Sequence, residues 1–168
     1  MTKQLPREND VTKPLRAYVD TSVVGGYFDQ SFEKDTDAFL QHIRGGKITP
    51  VLSDMVTGEI ARAPERVQRL LTEMIRGGAH VAAVTEEAIE LQDAYLRSKV
   101  LSRRWEDDAM HVAMATISRV DVIASWNFKH LVDPRRVREF NGVNLSMGYG
   151  LVAILSPCDI VHLLEARK

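Results

Sequence analysis

Cysteine is nearly missing: Cys158 stands alone in 168 residues, so the chain cannot staple itself, and a disulfide scaffold is excluded. A lone thiol fits a reducing compartment. Long apolar runs are missing too. None approaches the ~20 residues of a membrane span, and the opening MTKQLPREND carries no signal-like apolar stretch. The expectation is a soluble, cytoplasmic protein with no membrane partner. Neither charge sign is in excess, since 22 Lys+Arg oppose 23 Asp+Glu for a net −1. A polyanionic partner therefore needs a local basic patch and not a global field. No segment is rich enough in Pro, Gly or Ser to divide the chain, and no repeat or low-complexity tract is found. What is present, 45% apolar and 27% charged residues, specifies one compact domain with a full core.

Residues 1 to 15 mix charges with Pro6 and Pro14 without a helical or strand period, and read as a loose arm before a single domain over 16–168. From there short β-branched runs alternate with amphipathic stretches, the pattern of a parallel sheet with crossover helices. The expected strands are Ala17 to Asp20, Ile48 to Leu52, His80 to Val84, Val122 to Ser125 and Leu151 to Leu155. Val67, Leu70, Leu71, Met74 and Ile75 make one apolar helical face, which Gly77-Gly78 ends. Thr85 with Glu86 and Glu87 opens another helix, and Ser156-Pro157 followed by Asp159 opens the last. The fold class is α/β.

In open parallel sheets, ligands sit beyond the carboxyl ends of the strands. Asp20 ends the first expected strand; it is either an N-cap for a helix from Thr21 or a functional acid. Glu59 projects from the second turn of a helix that Ser53 caps, and is either a solvated glutamate or part of a site. Asp107 and Asp108 open a small-residue helix running to Ala115, where first-turn acids complement the helix dipole and one of the two is surplus to that need. Carboxylates gathered at one sheet edge repel unless a cation neutralises them. Mg²⁺ or Mn²⁺, which take oxygen ligands and keep waters, are the hard ions for such a set, and phosphoryl-transfer chemistry follows.

Other chemistries find less support. A haloacid-dehalogenase-type phosphatase needs a second acid two residues after its nucleophilic aspartate, and that position is Ser22. Gly25-Gly26 and Gly148-Tyr149-Gly150 fit neither a phosphate-cradling loop nor a dinucleotide fingerprint, and read as turns and close packing. Cys158 and His162 share a helical face, but no further ligand accompanies them and no base is paired with the thiol. His111, three residues after Asp108, either orients it, touches substrate, or is a packed histidine with a satisfied bond.

With these residues assembled, the chain resembles a PIN-domain ribonuclease of the VapC toxin kind, from about Arg16 to Leu164. The resemblance is carried by Tyr18-Val19-Asp20-Thr21-Ser22-Val23, by Ser53 through Glu59, by Asp108-Ala109-Met110-His111-Val112-Ala113, and by Asp121 through His130. By position, the family's metal-binding acids fall on Asp20, Glu59 and Asp108, with Asp107 as a substitute. Its fourth position, Thr or Ser, any residue, then Asp, reads Ser125-Trp126-Asn127 here, so one negative charge is missing. The resemblance implies a three-layer α/β/α sandwich with strand order 3-2-1-4-5, homodimerisation, a small antitoxin partner, and Mg²⁺- or Mn²⁺-dependent RNA cleavage leaving 5′-phosphate and 3′-hydroxyl ends. Asp20, Glu59, Asp108 and Asn127 are then the catalytic set, with Ser22 or Ser125 orienting water or phosphate. An inactive PIN-like module that binds RNA or protein is the alternative, since a fold does not carry its chemistry with it. The densest basic stretch, Lys129 to Arg138, is either a solvated helix surface or an RNA-binding patch supplied by Lys129, Arg135 and Arg138, with Arg103 and Arg104 next in order.

Overall fold

The computed structural model describes residues 13–166. The expected arm therefore lies outside the described residues up to position 12. Lys13 and Pro14 are exposed, and Leu15 already belongs to the first strand, one residue before the expected start of the domain. In chain order the elements are β1 Leu15–Val19, α1 Thr21–Gly26, α2 Glu33–Arg44, β2 Ile48–Ser53, α3 Asp54–Ile60, α4 Glu65–Arg76, β3 His80–Ala82, α5 Glu86–Arg97, α6 Glu106–Ile117, β4 Val122–Ala124, α7 Pro134–Ser146, β5 Ala153–Leu155 and α8 Pro157–Glu165. A short 3₁₀ turn, Arg103–Trp105, precedes α6.

Local chemistry starts and stops these elements. Asp20, Ser53, Thr85, Asp133 and Ser156 each accept a backbone N–H of the first helical turn, satisfying donors that a helix start leaves free. At the end of α4, Gly77 caps the last turn and Gly78 takes φ 99°, a backbone conformation that a side chain would strain.

The sheet order is β3-β2-β1-β4-β5, and every pairing is parallel. This is the expected order. β3 and β5 are shorter than expected because each is an edge strand with one neighbour: β3 pairs only along Val51 to Ser53, and β5 only along Val122 to Ala124. Right-handed crossovers put the helices of the β1-β2-β3 half on one face and those leading to β4 and β5 on the other. The packing agrees, with α2 against α8 and α4 against α1 and α3, while α5 packs on α6 and α7. The central strands are sealed between these layers; Tyr18, Val51, Leu52 and Ile123 are fully buried. Along α6, every residue from Ala109 to Thr116 is buried, as its small side chains allow. Among the described residues, no helix is long and apolar enough to cross a membrane.

Candidate functional site

β1 and β4 run parallel and adjacent, so their carboxyl ends open side by side. The Asp20 N–H donates to Ala124 O at 3.2 Å, which brings the residues after both strands together. Asp20 is nearly buried, at 4% exposure, and its carboxylate accepts from Ser22 N at 2.8 Å, from Ser22 Oγ at 3.0 Å, and from Ser125 Oγ. Each serine is itself fixed: Ser22 Oγ accepts from Trp126 N at 2.9 Å and Ser125 Oγ from Asn127 N at 3.0 Å. Asp20 is thus cap and centre at once. With Ser22 donating to Asp20, no acid occupies the position that the phosphatase alternative requires.

Glu59 reaches the same edge from α3. Thr21 Oγ1 donates to its carboxylate, and His111 Nε2 stands 3.4 Å away. His111 is buried on α6, and its Nδ1 lies 2.8 Å from Tyr18 Oη, which is also 2.8 Å from Ser53 Oγ. With neutral His111, hydroxyl protons run from Ser53 to Tyr18 to Nδ1, and Nε2–H faces Glu59. With protonated His111, the Tyr18 hydroxyl turns and accepts instead. Burial drives the His111 pKa down, but its bond to Glu59 and the charges of Asp20, Glu59 and Asp108 outweigh it and leave the pKa raised. For Glu59, burial pushes up, and the bonds from His111 and Thr21 bring the pKa below its ordinary value. Burial pushes the Tyr18 phenol well above its usual range, so it stays protonated. Of the roles open to His111, the structure shows a bonded one: it orients Glu59, and its hydrogen bonds do not go to Asp108.

Asp108 sits half-buried in the first turn of α6 and accepts from Asn127 Nδ2 at 3.1 Å. Asn127 Oδ1 accepts from His130 N at 3.0 Å, which settles the amide orientation, since the oxygen must face that N–H. The Asn127 carbonyl oxygen is therefore already used, and it is the amide nitrogen that faces the acid. Burial raises the Asp108 pKa, with His130 and Asn127 pulling down and the charge of Asp20 adding to the rise.

Glu59, Asp107, Asp108 and Asn127 share a cleft of about 460 Å³ whose remaining wall includes Arg104 and Lys129. Asp107 is exposed there. Arg135 and Arg138 are exposed on α7 and do not line the cleft; Arg136, between them, donates to Val100 O and pairs with Glu139 at 3.1 Å. Trp105 and His130 complete the wall and were not among the residues expected from sequence. Thr21 and Tyr18, which hold Glu59 and His111, were also missed; both lie inside the motif around Asp20, but nothing in their spacing names their partners. Away from the cleft, Cys158 Sγ lies 3.9 Å from His162 Nδ1 on α8, and burial with nearby Asp35 and Asp159 pushes the thiol pKa up, against any nucleophilic role.

The donor set is all oxygen, which suits Mg²⁺ or Mn²⁺. Among the described residues, however, no group of three or more His, Cys, Asp or Glu side chains is placed to hold an ion. Each acid is instead turned onto a neighbouring donor. The set fits an open site in which one or two carboxylates carry the ion and water or substrate oxygens complete its shell.

No protein-family model matches the chain, and no curated protein matches it. Solved structures do resemble it, among them the following two. A chain in the crystal structure of FitAcB from Neisseria gonorrhoeae has a TM-score of 0.51 at 14% identity, covering 84% of this chain and 97% of that one. A chain in the crystal structure of VapBC2 from Rickettsia felis, bound to a DNA fragment from their promoter, has a TM-score of 0.52 at 9% identity, covering 83% and 98%. At such identities the likeness shows the fold, a PIN-like α/β architecture with a central parallel sheet.

Proposed function

We propose that this chain is a divalent-metal-dependent endoribonuclease, the toxin of a type II toxin-antitoxin pair, acting as a homodimer and restrained by a small antitoxin protein. The observation that supports the reading is the cleft shared by Glu59, Asp108 and Asn127 with Arg104 and Lys129, to which Asp20, not itself in the lining, is joined through the Ser125 hydroxyl that also accepts from Asn127 N. A nearly buried acid, Asp20, whose charge adds to the rise in the pKa of the half-buried Asp108, is costly to place there for structure alone. Of Asp20, Glu59 and Asp108, one or two carboxylates at a time would carry Mg²⁺ or Mn²⁺, with water or substrate oxygens completing the shell; the ion would acidify a water and neutralise charge at the phosphorus. The protein's part is placement. Ser22 and Ser125 aim Asp20, His111 and Thr21 aim Glu59, and Asn127 steadies Asp108. Lys129 meets the phosphate at the cleft, and Arg135 and Arg138, outside it, meet phosphates further along the strand.

Purified protein incubated with a mixed RNA pool in Mg²⁺, in Mn²⁺ and in chelator, followed by end mapping, tests the reading. Cuts that require the ion and leave 5′-phosphate and 3′-hydroxyl ends support it. A second reading, a PIN-like module that binds RNA without cutting, draws on the neutral Asn127 at the fourth position, whose amide already occupies an Asp108 oxygen with a hydrogen bond; binding without cuts in either metal selects it.

A further inference from the structure

The cleft wall also contains Trp105 and His130, which the cleavage reading does not use, beside Arg104 and Lys129. Trp105 ends the 3₁₀ turn before α6 and is only half-buried. Its ring lies 4.1 Å from the His130 ring at a tilt of 35°. The Arg104 guanidinium and the Lys129 ammonium both stand over the same indole, at 5.1 and 5.2 Å from its centre. Both cations are exposed, and neither forms an ion pair among the described residues. They are held by the ring and left unneutralised.

His130 adds an independent sign of a ligand. It is 8% exposed, its backbone N–H is fixed on Asn127, and its ring Nε2 is buried with no hydrogen-bond partner among the described residues. Buried polar atoms are nearly always bonded, so one that is not calls for a partner, which for a residue lining a cleft is water or a ligand. The residue lines the same cleft as Asp108 and Lys129. An aromatic face, two free cations and an unused nitrogen beside an acidic site match one chemistry, that of a single-stranded nucleic acid, whose unpaired bases stack on aromatic rings while cations track the phosphates.

We infer that Trp105 and His130, with Arg104 and Lys129, form a binding flank for one unpaired nucleotide of an RNA strand next to the acidic cleft. The base stacks on Trp105 and displaces a cation from the indole face; that cation turns to the adjoining phosphate, and a turn of the His130 ring brings its unbonded Nε2 out to one hydrogen bond with the same nucleotide. A cleft of about 460 Å³ is within the size range of ligand sites. The choice of RNA rests on the reading proposed above, but the flank does not require cleavage.

Its test is binding, measured by fluorescence anisotropy of a labelled, unstructured RNA oligonucleotide titrated with the full chain in chelator. Replacing Trp105 by Ala should weaken binding about tenfold, the loss of one stacked base, and Trp105→Phe should recover most of it. His130→Ala should weaken binding several-fold, and a duplex of the same sequence should respond to neither change. A parent-like affinity for Trp105→Ala, equal losses for single strand and duplex, or no RNA binding by the parent overturns the inference. Thermal melts identify a misfolded Ala variant, in which case Trp105→Phe against Trp105→Leu decides. The cleavage reading is judged separately by metal-dependent cuts, so either idea can fail alone.

Discussion

Asn127 has its oxygen committed to His130 N and its nitrogen 3.1 Å from Asp108, so the amide gives the Asp108 carboxylate one hydrogen bond and no charge. An aspartate there would set two carboxylates against each other. Asn127→Asp is therefore expected to lower thermal stability in chelator and to raise Mn²⁺ affinity about tenfold, on the order of 1.4 kcal/mol for a restored ligand charge. Calorimetry with and without Mn²⁺ reads both, and unchanged values in both would remove Asn127 from the cluster. Asp20→Asn and Asp108→Asn should each abolish most RNA cleavage while the fold persists, because volume is kept and Asn also caps helices well; a variant that cuts at the parental rate is not a ligand. Glu59→Gln should act likewise, and it also exposes a pH dependence. The His111 pKa is raised above its ordinary 6.5, so its share of the Glu59 pairing is complete below that value and is lost as pH rises through the folded pKa. The Glu59 pKa is lowered from 4.5, so its share is present above that value and is lost as pH falls through the folded pKa. In chelator, the melting-temperature gap between parent and Glu59→Gln should be widest near pH 5 to 6, at about 2–3 °C for a partly screened pair, and should close toward alkaline pH. A gap independent of pH would assign Glu59 to packing.

At the scale of elements, the loop after β4 depends on a wedge. Trp126, between Ser125 and Asn127, stacks on Phe32 at 4.5 Å and donates Nε1–H to Thr36 Oγ1 at 3.0 Å. The ring leaves no room at the end of α1, where a Cβ on Gly26 would come 2.7 Å from Trp126 Cδ1. The close packing expected of Gly25-Gly26 is real at Gly26 and missing at Gly25, which has nothing within 4 Å. Gly26→Ala should cost about 1–3 kcal/mol by overpacking, a fall of several degrees in melting temperature. It should also reduce cleavage, because moving Trp126 moves both neighbours that hold Asp20 and Asp108. Gly25→Ala is the control; equal effects of the two changes would refute the wedge.

Over the whole molecule, a net charge of −1 leaves RNA binding to local cations. Lys129→Ala should reduce the slope of log affinity against log salt by about one, since one fewer phosphate is neutralised. Replacing Arg135 and Arg138 together should lower the slope on long RNA and leave a trinucleotide unaffected, because both lie outside the cleft. Loss of affinity for the trinucleotide would place α7 against the scissile phosphate after all.

The helix starts at Asp20, Ser53, Thr85 and Ser156 were readable from sequence because a cap bonds to backbone two or three residues away, and the alternation of strands and helices was readable because burial imposes a period on each. Asp20 could be singled out at a strand end, Glu59 in the second turn of the helix that follows a strand and Asp108 at a helix start, and their order through the resemblance to PIN domains. Their partners could not. Tyr18 meets His111 across 93 residues and Asn127 meets Asp108 across 19, contacts that exist because α6 packs on the sheet where β1 and β4 lie side by side, and no local preference encodes that neighbourhood. Tertiary structure alone turned His111 toward Glu59, committed the Asn127 oxygen to backbone, left Arg135 and Arg138 outside the cleft, and set Trp105 against His130. Side-chain direction at a sheet edge depends on what the next strand and the covering helix place there, and that is a property of the assembled layers.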